Sequence, residues 1–361
     1  MKVLHVIGHL DNGGAESLLT QSLNYYPKFF VNIDLLILKN NNSFLLNKIE
    51  NNFEGNVFKL TKNSIYDFRL IFKIIPYLSK YDIIHIHLFP SFYFVVIAHF
   101  LVRSKKIIFY TEHSTKNKRR QILFFKYFDR FVYKRVDRII CISNAVKENL
   151  INHLGINSDK ITVINNGINL ELFSSGATSV FDFFNSESFI ITQISRFSKS
   201  KDQETVIRAL QHLPNEIKLI LVGSGDLRIK NEVLVSKLNL SDRVIFLGDR
   251  SDVPELISYS SVIVQSSFYE GFGLAALEGM AAEKPVIGSN VSGLNELLLG
   301  SGLLFESGND TELAALIIKL YTSNEFYKNI ARKCFLKSRE YSIEKMVFEY
   351  CKEYDFVINN K

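Results

Sequence analysis

The sequence predicts an α/β protein of two tandem Rossmann-like domains with a cleft between them. Three observations carry that prediction. Short aliphatic or β-branched runs alternate with longer amphipathic stretches, the signature of parallel sheet covered by helices. The alternation halts at a polar stretch, Ser174–Glu187, and then restarts. The chain has 361 residues, 47% of them hydrophobic, enough for two ordinary cores.

In the first half, strands are expected at Lys2–Ile7, Val31–Ile37, Ile83–His87, Lys106–Tyr110, Arg138–Ile142 and Ile161–Ile164. Helical periodicity lies between them, at Ala15–Tyr25, Tyr66–Leu78, Phe92–Leu101, Lys118–Lys134 and Asn144–Asn152. In the second half, strands are expected at Ser188–Ile194, Ile217–Val222, Val244–Phe246, Ser261–Gln265 and Pro285–Gly288. Helices are expected at Asp202–Leu210, Leu227–Leu238, Pro254–Tyr259 and Gly273–Glu283, and the tail Thr311–Asn359 is helical in pattern. The domains are read as residues 1–167 and 168–340, with 341–361 a helix that crosses back to the first domain. Ligands of such sheets sit beyond the carboxyl ends of strands.

Bulk properties exclude several classes. Charged residues are 22% of the chain and the net charge is +6, mildly basic, so the chain is not a disordered tail. Cys141, Cys334 and Cys351 are odd in number and lack metal-ligand spacing, which argues for a reducing compartment and against a disulfide framework or zinc site. The opening apolar run reads as a strand and not as a signal peptide. The longest later run, Phe92–Val102, contains His99 and is too short to span a bilayer. A cytoplasmic protein is expected, with peripheral association at the inner face of the plasma membrane open.

The residues that carry chemistry begin with Glu270-Gly271-Phe272-Gly273-Leu274, which follows a strand and opens the helix that contains Glu278. Gly271 and Gly273 allow close backbone approach to a ligand. The free N–H groups of a helix start suit a phosphate. Two carboxylates spaced by more than one turn can accept from hydroxyls of a sugar and of a ribose. A second segment, Ser195–Asp202, places Arg196 and Lys201 between a strand and a helix. Arg196 offers a planar fork and Lys201 a point charge to a departing diphosphate, with Lys199 an alternative to Lys201. A third, Gly13-Gly14, sits in the first βα turn, where the pair is equally explained as a tight turn.

These segments, in their order along the chain, resemble the motifs of retaining glycosyltransferases of group 1, or family 4, with the GT-B fold. The Glu270–Glu278 segment matches the family's Glu-x7-Glu pattern, and Met280-Ala281 and Pro285-Val286 follow as they do there. Ala275 stands for the usual proline and Glu283 for a common glycine. Ser195 and Asp202 replace the glycines that flank the family's Arg…Lys pair. The resemblance implies transfer of a sugar, with retention, from a nucleoside diphosphate donor, by family frequency UDP-linked, to a hydroxyl acceptor. It implies that Gly14, Arg196, Lys201, Gly273 and Leu274 hold the diphosphate. Glu270, Gly271, Phe272 and Glu278 would meet the sugar and ribose, and Gly13 and Asn166 would be loop contacts. Asn166 lies in Asn165-Asn166-Gly167, foremost a turn signal and hence a hinge. The Gly223-Ser224-Gly225-Asp226 and Gly248-Asp249-Arg250 loops would flank the base. His113 occupies the place of a family histidine near the donor sugar, and a scaffold role for it stays open. His85 and His87 form His-x-His, which strand alternation explains more simply than a metal pair. No Asp-x-Asp sequence ends a strand, so no obligatory metal and no other cofactor is expected.

The basic, Phe-rich stretch 116–138 is either an amphipathic helix packed on its own domain or a patch for anionic lipid that brings a lipid-linked saccharide acceptor. Nucleic acid is not expected, because no recognition module accompanies the charge. Surface polysaccharide or glycolipid assembly in bacteria follows from resemblance. An epimerase or phosphorylase on the same fold, and a non-catalytic nucleotide- or sugar-binding subunit, remain alternatives.

Overall fold

In the computed structural model the chain divides into two units, Met1–Gly167 with Ile343–Lys361, and Ile168–Ser342. The structure describes residues 1–11, 13–114, 122–174 and 181–361.

Unit 1 is built on seven strands: β1 (Lys2–Ile7), β2 (Asn32–Lys39), β3 (Val57–Thr61), β4 (Ile83–His87), β5 (Ile107–Glu112), β6 (Arg138–Cys141) and β7 (Ile161–Val163). They pair in the order β3-β2-β1-β4-β5-β6-β7, every pair parallel. The central strands are buried end to end, as in β4 with its run Ile83-Ile84-His85-Ile86-His87. Such runs suit a sheet covered on both faces. The order reverses between β1 and β4, where His5 lies in register with His85.

Unit 2 continues with β8 (Phe189–Ile194), β9 (Ile217–Val222), β10 (Val244–Gly248), β11 (Val262–Gln265), β12 (Val286–Ser289) and β13 (Leu303–Phe305). Their order, β10-β9-β8-β11-β12-β13, is again parallel throughout. Here the reversal falls between β8 and β11. The loops that leave these two strands are the ones that carry Arg196–Lys201 and Glu270–Gly273.

The helix Ile343–Asn359 belongs to unit 1. Its buried side chains include Met346, Val347, Tyr350 and Tyr354. Tyr354 stacks toward Tyr26 and meets Phe109 edge-on. Arg138 donates to Glu353 at 2.6 Å. At the base of unit 2, Ile168 and Ser342 form a parallel bridge, so the two segments that join the units run side by side.

Candidate active site

The unit 2 site is assembled by four loops. The backbone N–H groups of Asp202 and Phe268 donate across to the carbonyls of Ser266 and Ser200, at 3.1 and 2.9 Å, which ties the loops after β8 and β11 together. Asp202, in place of a family glycine, caps the helix Gln203–Ala209 through the Thr205 N–H and hydroxyl. It also accepts from Ser266 Oγ at 3.2 Å. The loop after β9 packs on the first of these: a Cβ on Gly223 or Gly225 would lie 2.3 or 2.4 Å from the Ser195 or Phe197 carbonyl. The loop after β12 closes on the other, since a Cβ on Gly293 would meet the Glu270 carbonyl at 2.5 Å.

Within that frame the Lys201 ammonium forms an ion pair with the Glu270 carboxylate. Glu270 Oε2 also accepts from Gln265 Nε2 at 3.3 Å and Ser267 Oγ at 3.5 Å. Its Oε1 accepts from the Gly271 N–H at 3.2 Å. The carboxylate is therefore held by strand β11 and its loop as well as by the cation. Arg196 is exposed, and its guanidinium has no partner among the described residues. Its carbonyl accepts from Gln203 Nε2, which fixes the backbone that presents it.

The helix Leu274–Ala281 starts at Gly273, whose φ is +98° and which cannot take a Cβ without meeting Leu294 Cδ2 at 2.6 Å. No side chain caps this end and its first turn has no acidic residue, so its N–H groups are open to an anion. Glu278 follows on the same helix. Part of the residue stays exposed, yet burial pushes its carboxyl up to about 8. Phe272 differs from the other motif residues: its ring is buried against Tyr341, so only its backbone faces a ligand role. The Gly13-Gly14 turn is a poorer anion seat than Gly273. The Glu16 carboxylate folds back beside Gly13, and a negative charge thus already occupies that helix start.

In unit 1, His113 follows β5 and is half-buried. Its Nε2 lies 3.4 Å from His87 Nδ1, and His87 Nε2 lies 2.9 Å from His5 Nδ1. Burial holds His5 near 3 and His113 near 4, and His87 well below the ordinary imidazole value. Sequence reading passed over His5; the signal available was a histidine on β1 beside a His-x-His strand. His5, His85 and His87 could be grouped as metal ligands, but both nitrogens of His85 are already engaged, by Tyr354 and by Thr111 at 2.7 Å. Asn166 is buried, and its Oδ1 has no partner among the described residues.

Residues 115–121 of the basic stretch lie outside the described residues. The remainder supports the packing alternative. Phe128 meets Tyr93 and Phe131 meets Phe100, edge to face. Arg135 covers the Phe131 ring at 3.5 Å, and Arg130 donates to the Leu154 carbonyl. Among the described residues, no helix is long and apolar enough to cross a membrane.

Two parallel-sheet α/β units of this kind define the GT-B class of fold. Solved structures agree: HepE of Anabaena with UDP-glucose superposes with a TM-score of 0.86 at 23% identity, over 98% of this chain and 99% of that one. Sucrose-phosphate synthase of Thermosynechococcus elongatus gives 0.82 at 20%, over the whole of both chains. The Glycosyltransferase Family 4 model matches residues 12–172, and the Glycosyl transferases group 1 model matches residues 179–334. The chain belongs to the group 1, family 4 glycosyltransferases. An uncharacterised glycosyltransferase of Methanocaldococcus jannaschii is 32% identical over 234 residues, 64% of this chain and 62% of that protein. The UDP-Gal:alpha-D-GlcNAc-diphosphoundecaprenol alpha-1,3-galactosyltransferase of Escherichia coli is 30% identical over 262 residues, 66% of each. The matched stretches thus span just under two thirds of these relatives' own length.

Proposed function

We propose that the chain transfers a sugar from a nucleoside diphosphate donor, UDP-linked by preference, to a hydroxyl acceptor with retention at the anomeric carbon. One observation carries the reading: the loops leaving adjacent strands β8 and β11 bring a free guanidinium, a Lys201–Glu270 pair and an acid-free helix start to one end of one sheet. Arg196, Lys201 and the amides from Gly273 and Leu274 take the diphosphate. Their fixed positive ends meet the charge that grows on the leaving group. Glu278 takes the ribose hydroxyls, and Glu270 with Gly271 the sugar. His113 contributes a hydrogen bond to the donor sugar, and Gly13, Gly14 and Asn166 are secondary loop contacts. The acceptor oxygen bonds to the anomeric carbon as the carbon–phosphate oxygen bond breaks. The acceptor's proton passes to the leaving phosphate on the same face. The protein's own cations supply the charge compensation, so no resident metal enters the scheme.

A lipid-linked saccharide is the acceptor class we favour, supported by the Escherichia coli relative whose named substrate is a diphosphoundecaprenol-linked sugar. Contact with an anionic membrane is supported by the end of the helix Ser91–Leu101, where exposed Phe100, Leu101 and Val102 adjoin exposed Arg103 and Lys105. Co-sedimentation with vesicles should rise with anionic lipid; binding that does not depend on anionic lipid would remove the anionic-membrane contact. The reaction is tested with Glu270→Ala, scored for sugar transfer and for thermal unfolding. Transfer should fall at least a hundredfold with the fold retained, and unchanged turnover would exclude the assignment.

A further inference from the structure

His113, His87 and His5 form a line of ring nitrogens from a half-buried position to the fully buried core of unit 1. The line has a direction. The far atom, His5 Nε2, is buried and has no hydrogen-bond partner among the described residues. If each ring donated inward, that atom would carry an N–H with nothing to accept it. Orphaned buried N–H groups are the rarer and costlier defect, whereas a bare lone pair is better tolerated. So each ring donates outward: His5 Nδ1–H to His87 Nε2, and His87 Nδ1–H to His113 Nε2.

His85 does not interrupt this order, because its two nitrogens face the Tyr354 and Thr111 hydroxyls. It stacks on His87 with centroids 4.4 Å apart, and His5 stacks on His87 at 5.1 Å. A proton added to any ring of the stack would face its neighbours without solvent. Burial keeps all three chain members neutral, so the tautomer of each is the only freedom left.

We propose that His87 and His5 are positioning residues that lock His113 as the neutral tautomer with its proton on Nδ1, so that the ring offers a ligand a hydrogen-bond donor and not an acceptor. The consequence for transfer rests on the reading that His113 meets the donor sugar: a donor N–H there selects a lone pair of a sugar oxygen. Nδ1 of His113 has no partner among the described residues.

The test is a long-range proton–nitrogen NMR correlation of the full chain labelled with 15N-histidine, recorded without ligand. His113 should show a protonated Nδ1 and an unprotonated Nε2. His87→Asn places an amide N–H where Nδ1 was and should preserve that pattern. His87→Gln puts its amide at the other ring position and should release His113 to a mixed or Nε2–H form. His5→Ala, which removes the outward push one ring further in, should loosen the preference too and serves if His87→Gln does not fold. A wild-type His113 with its proton on Nε2 overturns the proposal, as does a pattern indifferent to both His87→Gln and His5→Ala. These spectra need no donor, so they stand apart from the transferase reading. Loss of that reading would show as absent nucleotide binding with the His113 pattern intact.

Discussion

Arg196 is exposed and its guanidinium has no partner among the described residues, whereas Lys201 is bound to Glu270. The two should therefore respond differently to substitution. Arg196→Ala should raise the donor KM about tenfold, and Arg196→Lys should restore little, since a point charge does not reproduce a planar fork. Steady-state kinetics with the donor varied would show it. Lys201→Ala releases a held carboxylate and, on the proposed assignment, also removes a phosphate ligand, so its loss should appear in kcat as well. Glu278 makes a separate prediction about pH. Its folded carboxyl sits near 8 against an ordinary 4.5, so the folded state holds the extra proton between those values. Stability contributed by this group is full below about 4.5 and declines as pH rises toward 8. Glu278→Gln should flatten that decline, with a gain of about 2 kcal/mol or less at pH 8 by denaturant titration. An unchanged slope would place the titration elsewhere.

At the scale of elements, the helix start at Gly273 is a backbone device. Gly273→Ala combines a φ of +98° with a clash on Leu294, and should cost about 1–3 kcal/mol and weaken nucleotide binding. Thermal unfolding with and without UDP would separate the two effects. The strands that carry this device were legible because they are buried aliphatic runs: β4 and β9 have the predicted ends. What escaped were elements with weak burial. β3 has no fully buried residue, and β13 has three residues in all. The helix Phe44–Asn52 hides in an Asn-rich stretch, although Ser43 caps it by accepting from Leu46. The helix Ala15–Tyr25 ends early, at Ser22, and continues as a 3-10 turn through Pro27, which lacks an N–H. The motif residues were likewise legible one segment at a time. The Lys201–Glu270 pair was not, since it depends on β8 and β11 being neighbours, a fact of topology that local periodicity does not contain.

For the whole molecule, each unit has its own parallel sheet and its own reversal of strand order. Unit 1 is completed by the end of the chain. Tyr354 fills a core position between Tyr26, Phe109 and His85, more than two hundred residues from any of them. Tyr354→Ala should therefore destabilise unit 1 by about 3–5 kcal/mol while the unfolding of unit 2 is little changed, a split that calorimetry would resolve. On the proposed function, unit 2 holds a nucleoside diphosphate through Arg196, Lys201 and the Gly273 helix start. Calorimetric titration of UDP into the wild-type chain and into Arg196→Ala tests it most directly. Saturable binding by the wild type is expected, weakened about tenfold by the substitution. Absence of binding by UDP and by every other nucleoside diphosphate, or equal affinity in the two proteins, would contradict it.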